Sequence, residues 1–208
     1  MGGLIFLVLV GIIILGLWLY RKALSGRPAD DQPPLIRIPC QDGYIIGYYQ
    51  GNRLIGQRFV NNRLASEGVF VNGLQVGSGK EYYQGGRLKY EGNFSNGLAS
   101  GLGKLYEENG RLKYIGNFTN GYAAGQGRIF DQNGKLKYEG QFARLPGYQE
   151  QAKDPSAPQG SGREYYDNGQ LKYQGEFVNG VWHGHGSSYD RQGRLIFRGQ
   201  FAYGKPVK

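Results

Sequence analysis

From Asn62 onward the chain repeats itself every 24 residues. The unit reads NRLASEGVFVNGLQVGSGKEYYQG from Asn62, GRLKYEGNFSNGLASGLGKLYEEN from Gly86 and GRLKYIGNFTNGYAAGQGRIFDQN from Gly110; further copies open at Gly134 and Gly169, and a half-copy at Gly193. A period of this size means an array of one supersecondary unit, whose apolar face is buried only by stacking on its neighbours. One interval, from Gly134 to Gly169, is 35 residues long, which predicts an insertion loop within residues 143–162.

Asn-Gly recurs within the unit, as Asn96-Gly97 and Asn109-Gly110, then as Asn120-Gly121 and Asn133-Gly134. Both residues accept the positive φ of a type I′ turn, so the dipeptide is the strongest short signal for a hairpin. Two turns in 24 residues leave two strands of nine or ten. The fold class expected is therefore mainly β: an elongated single-layer antiparallel meander of repeated hairpins over residues 62–208, with degenerate cap strands over 43–61, each repeat advancing the sheet by about 10 Å. The 37 glycines and 17 tyrosines among 208 residues suit such a sheet and disfavour helical packing.

Alternation assigns the faces. Leu88, Tyr90, Gly92 and Phe94 share one, as do Leu112, Tyr114, Gly116 and Phe118, and these columns stack along the sheet as its core. With a two-residue loop at Asn96-Gly97, Tyr90 lies opposite Gly103 and Gly92 opposite Gly101, so that a ring covers bare backbone on the facing strand. A further aromatic column, Tyr82, Tyr106, Phe130, Tyr165 and Tyr189, falls on the other face in that register; it is either a second stripe or the mark of a bulge that shifts parity.

The first twenty residues differ in kind. From Leu4 to Tyr20 every residue is apolar, Gly or Tyr, and residues 2–20 give about 28 Å of helix, enough to cross a bilayer. Arg21, Lys22 and Arg27 follow the span and no basic residue precedes it, so a single-pass membrane protein is expected, with its N-terminus outside and its repeats cytoplasmic. Residues 21–42, with Pro28, Pro33, Pro34 and Pro39, read as a semi-extended linker. Cys40 is the only cysteine, which excludes an internal disulfide and any multi-cysteine metal site.

Basic residues recur in register: Arg87, Lys89 and Lys104, then Arg111, Lys113 and Arg128, then Lys135, Lys137 and Arg163, with Lys80, Lys172 and Arg194 as partial copies. In the two-residue register Lys89 faces Lys104 and Lys113 faces Arg128, a like-charge pairing that calls for a nearby anion. On a chain of net charge +9 this basic face reads either as a binding surface for an acidic partner such as leaflet lipids, or as a solvated face with Glu91, Glu139 and Glu176 interleaved. His183 and His185 are the only histidines, and without a third ligand they make no metal site. No catalytic residue, cofactor, metal or nucleic-acid partner is expected.

The units resemble MORN repeats (membrane occupation and recognition nexus), whose pattern is Y-x-G-x-x-x-x-G-x-x-H-G-x-G. Tyr173, Gly175, Gly180, His183, Gly184 and Gly186 match it throughout; Tyr90, Gly92 and Gly97, and Tyr114, Gly116 and Gly121, match with Ser100 and Ala124 in the histidine slot, and Tyr138 and Gly140 open another copy. The resemblance implies an elongated sheet that binds proteins and in some cases acidic lipids, with no chemistry of its own. The functions expected are a membrane-anchored, non-enzymatic scaffold for a protein partner, an acidic-lipid module, or a regulatory subunit of an enzyme encoded elsewhere. The last strand, from about Arg194 to Ala202, is expected to leave an open edge through which two copies pair as a homodimer, against which Lys205, Pro206 and Lys208 weigh as edge-blunting residues.

Overall fold

The computed structural model describes residues 33–145 and 156–207. They form one 15-stranded antiparallel sheet in which every strand pairs with its neighbours in chain order. The strands are β1 Ile36–Cys40, β2 Gly43–Gln50, β3 Arg53–Val60, β4 Arg63–Val71, β5 Leu74–Tyr82, β6 Leu88–Ser95, β7 Leu98–Tyr106, β8 Leu112–Thr119, β9 Tyr122–Phe130, β10 Leu136–Arg144, β11 Ser156–Tyr165, β12 Leu171–Val178, β13 Val181–Tyr189, β14 Leu195–Ala202 and β15 Lys205–Pro206. This is the open meander that the repeat and its turns predict. Among the described residues no helix is long and apolar enough to cross a membrane; the span read over residues 2–20 lies outside them.

The sheet extends past the limits read from the repeats. β1 lies in the segment read as linker and pairs with β2 from Ile36↔Gly47 to Cys40↔Gly43, and Cys40 packs with Ile38 against buried Ile45, Leu54 and Phe70. At the insertion, β10 and β11 stay paired as far as Arg144↔Ser156, so much of 143–162 is strand. β14 is not left open along its whole length: Tyr203 and Gly204, at φ +51° and +79°, turn the chain so that β15 covers Phe201 and Ala202. That turn carries no Asn-Gly, which is why the open-edge expectation missed it.

The two turns of each repeat differ. At Asn96-Gly97 both residues take positive φ, +50° and +79°, as a two-residue type I′ turn requires. At Asn109-Gly110 only the glycine does, at +88°; Gly110 N donates to Glu107 O and Arg111 N to Asn109 Oδ1. That is a longer turn of a different class, so only one Asn-Gly per repeat behaves as expected.

Register departs from the two-residue expectation within each hairpin. Next to the turn, Ser95↔Leu98 and Phe94↔Ala99 follow it, but past Gly92 the pairing jumps to Gly92↔Gly103, Glu91↔Lys104 and Tyr90↔Leu105. The extra residues bulge out of β7 around Gly101, whose φ of +71° suits glycine. A second bulge at Lys89, between Tyr82↔Leu88 and Glu81↔Tyr90, puts Leu88 opposite Tyr82. Leu88 and Leu112 therefore stay out of the aromatic cluster in which they were expected.

These shifts align one glycine from each of β2 to β14 into an unbroken row across the sheet, Gly47 through Gly92, Gly103, Gly116 and Gly127 to Gly199. Tyrosine rings lie on that row: a Cβ on Gly103 would sit 2.3 Å from Tyr90 Oη and 2.5 Å from its ring. The ring thus covers the glycine named from sequence, although Tyr90 pairs with Leu105. Beside the row runs an edge-to-face chain, Phe94–Tyr90–Phe118–Tyr114–Phe142–Tyr138–Phe177–Tyr173–Phe201, with ring centres 5.0–5.2 Å apart. All nine residues are buried, each contributing on the order of 1.5–3 kcal/mol. From β6 to β14 the core is an aromatic seam on one face, with the opposite face left free, and a second buried cluster of Ile45, Leu54 and Phe70 lies at the β2–β4 end.

Candidate functional site

The free face is organised by the same register. Side chains alternate across each strand, so the residues flanking the glycine row point away from the aromatic seam, and Cα pairing joins them into rows. One row runs from Gln57 on β3 through Glu67, Lys80, Glu91, Lys104, Ile115, Arg128, Glu139, Arg163, Gln174 and Ser187 to Arg198 on β14.

Within this ladder the charges alternate and pair. Lys80 Nζ lies 3.2 Å from Glu67 Oε1, Lys104 Nζ 2.9 Å from Glu91 Oε1, and Arg128 Nε and Arg163 Nη1 lie 3.5 and 3.4 Å from the two oxygens of Glu139. The like-charge columns expected from sequence do not form, because the bulge around Gly101 moves Lys104 from Lys89 to Glu91. Tyr82, Tyr106 and Tyr165 belong to this face as a second stripe, and their hydroxyls donate to Glu67, Glu91 and Glu139, each at 2.7 Å.

The ionisation of these groups follows from their partners. Hydrogen bonds from Lys104 and then Tyr106 hold the Glu91 carboxyl below the usual range, and the bond from Tyr165 does the same for Glu139. Burial alone would raise Glu67, but donors Tyr82, Gln57 and Lys80 bring it below. Tyr106 is pushed up to about 12 by burial and by its bond to the Glu91 carboxylate. On the seam face burial raises Tyr90, Tyr114 and Tyr173 to about 12 and Tyr138 further still.

Two open troughs lie along the ladder, of about 780 and 530 Å³, and both are lined by Leu102 and Ile115. On the other side of the glycine row Ser78, Asn93, Asn117, Gln126 and Gln200 add a hydroxyl and amides, beside Glu176 and His185. Such a surface offers hydrogen bonds and paired charges to a large ligand; it does not concentrate a reactive group. Among the described residues no three His, Cys, Asp or Glu side chains come together as a metal site. His183 pairs with Glu176 and stands edge-on to Tyr203, and His185 meets the Gln200 amide at 2.9 Å.

The basic residues read as one face divide among three places. Lys80, Lys104, Arg128 and Arg163 are in the ladder. Lys89, Lys113, Lys137 and Lys172 occupy the second bulge of their repeats, where Lys89 pairs with Glu81 at 2.8 Å and Lys172 with Glu164 at 2.7 Å. Arg87, Arg111, Lys135 and Arg194 lie at the long-turn edge: Arg87 Nη1 donates to Glu108 O and Lys135 Nζ to Asp167 O, which ties each turn to the next, and Arg194 pairs with Asp190. Two bulges per repeat account for the division: the one around Gly101 slides the pairing by two residues and keeps parity, and the one at Lys89 slides it by one and changes parity. The motif residues are structural: Tyr90, Tyr114, Tyr138 and Tyr173 build the seam, Gly92, Gly116, Gly140, Gly175 and Gly186 the glycine row, Gly97, Gly121 and Gly180 the tight turns, and Gly184 the bulge.

Sequence reading treated the ladder acids only as interleaved charge. A signal was present: Glu and Tyr recur fifteen residues apart as Glu67/Tyr82 and Glu91/Tyr106, and where Ile115 replaces the acid, Phe130 replaces the tyrosine.

Comparison with known families agrees with this architecture. A MORN repeat model matches residues 90–110 and 173–193, and a MORN repeat variant model matches 75–96, 125–143 and 158–179. No curated protein matches the chain.

Proposed function

We propose, taking as premise that these hairpins are MORN repeats, that the chain is a non-enzymatic scaffold whose ladder face binds a protein partner. One observation carries this reading: a row of polar side chains from β3 to β14, with paired charges from Glu67 to Arg163 broken only at Ile115, beside open troughs and on the face that the aromatic seam does not use. Lys80, Lys104, Arg128 and Arg163 already have carboxylate partners. That favours a partner able to exchange hydrogen bonds and charges point by point over one that needs only a field of positive charge, such as an acidic leaflet.

Residues 2–20 would hold the scaffold at a membrane with the repeats in the cytoplasm, a reading that rests on their apolar length and on the basic residues that follow them. The test is purification of the full chain from native membranes in detergent, beside binding of the same protein to phosphatidylserine vesicles. A protein that co-purifies in fixed ratio and is lost when Glu91 and Glu139 are both changed to Lys is the expected result. Salt-sensitive vesicle binding with no such partner would replace this reading by the acidic-lipid one.

A further inference from the structure

We infer that the middle of the ladder face holds a recess for one large aliphatic side chain of a partner polypeptide, in a segment whose neighbouring residues carry carboxylates; this rests on the scaffold reading and names the partner's chemistry. The repeats serve as internal controls. At the position of Leu102 the other repeats have Ser78, Gln126, Ser161 and His185; at that of Ile115 they have Glu67, Glu91, Glu139 and Gln174; at that of Phe130 they have Tyr82, Tyr106, Tyr165 and Tyr189. The three exceptions are all apolar, and they fall on adjacent strands, β7, β8 and β9.

Ile115 and Phe130 give up the Tyr-to-Glu hydrogen bond made at 2.7 Å by the equivalent pairs. Leu102 remains 65% exposed. Leu102 and Ile115 line both troughs, so the apolar spot marks where the two meet. An apolar centre rimmed by polar groups, at a concavity, is the pattern of a docking site.

Charge identifies the occupant. Ile115 pairs with Lys104 on one side and Arg128 on the other. Lys104 holds Glu91 at 2.9 Å, and Arg128 and Arg163 share the single carboxylate of Glu139, so these three cations meet two carboxylates and one positive charge is left in excess. Lys104 and Arg128 stand two strand spacings apart, about 10 Å. In an extended polypeptide the residues two before and two after a central one share its face and are about 13 Å apart, so acidic side chains there converge on the two cations. An aliphatic residue with acidic ones two positions to either side therefore fits the recess and both cations at once.

The test uses the full chain in detergent micelles and the fluorescein-labelled peptide Asp-Glu-Leu-Glu-Asp, read by anisotropy. The variant is Ile115→Glu with Phe130→Tyr, which restores the ladder pairing of the neighbouring repeats and so should melt no lower than the parent. Saturable, salt-sensitive binding is expected, weakened about tenfold or more by the double variant and by replacing the peptide's leucine with alanine. Absence of saturable binding to the parent, or equal binding to parent and variant, overturns the inference. So does a loss caused by the double variant that appears with phosphatidylserine vesicles and not with the peptide. The scaffold reading is scored separately, by whether a protein co-purifies with the parent chain at all; such a partner held equally by the double variant overturns the recess alone.

Discussion

Gly116 shows how tightly a single position is constrained. A Cβ built there would meet Gly127 Cα and Tyr114 Oη at 2.5 Å and Gln126 O at 2.6 Å. Two of these atoms are backbone, so the strands themselves would have to part. Ser100, in the slot that His183 fills in a later repeat, lies half-buried and unpaired in the bulge. Gly116→Val should therefore cost about 2 kcal/mol or more, and Ser100→His less than about 0.5 kcal/mol, as read by thermal melting. Equal melting temperatures would contradict the glycine row as the seat of the tyrosines. The tyrosine hydroxyls are also fixed at this scale. Those of Tyr90, Tyr114 and Tyr138 donate to the carbonyls of Asn93, Asn117 and Gln141, at or beside the bulge. Where Ser66 stands in place of that tyrosine, buried Gln75 covers Gly79 and donates to Glu67 O at 2.8 Å.

The hairpin is the element on which the array is built, and its two turns respond differently to the same change. Asn120 sits at φ +49°, which alanine adopts only at a cost of about 1 kcal/mol. Asn133 is absent from the positive-φ residues; in that turn the Asp131 carboxylate accepts the amides of Asn133 and Lys135. Asn120→Ala should thus lower the urea midpoint by the equivalent of about 1 kcal/mol, while Asn133→Ala should stay within about 0.5 kcal/mol. Equal shifts would mean that the two turns share one geometry. Hairpins are also tied to each other at the tight-turn edge, where Gly97 N donates to Gln75 O and Gly121 N to Ala99 O, both at 2.9 Å.

Across the whole molecule, the seam links stability to pH. Burial raises Tyr90, Tyr114 and Tyr173 to about 12 in the folded chain, and Tyr138 further, against about 10 for an unfolded tyrosine. A folded value above the unfolded one gives stability that is complete below about pH 10 and is lost as pH rises through the folded value. The melting temperature should hold steady from neutrality to about pH 10 and fall steeply between about 10 and 12. Tyrosinate absorbance should appear together with loss of β circular dichroism; full ionisation of every tyrosine in a still-folded sheet would refute the seam. The sequence by itself determined the period, the tight turns and the alternation of tyrosine, glycine and phenylalanine, because each is a short-range property of the chain and together they admit little but an antiparallel meander. Only the tertiary structure decided which residues face one another. The bulges around Gly101 and at Lys89 arise from cross-strand contacts, where glycine must meet glycine beneath a ring and Glu91 must meet Lys104. No single strand encodes that choice, and a shift of one residue carries a side chain to the other face. A basic face read from spacing thus became a ladder of paired charges, a set of lysines in bulges and a row of turn ties.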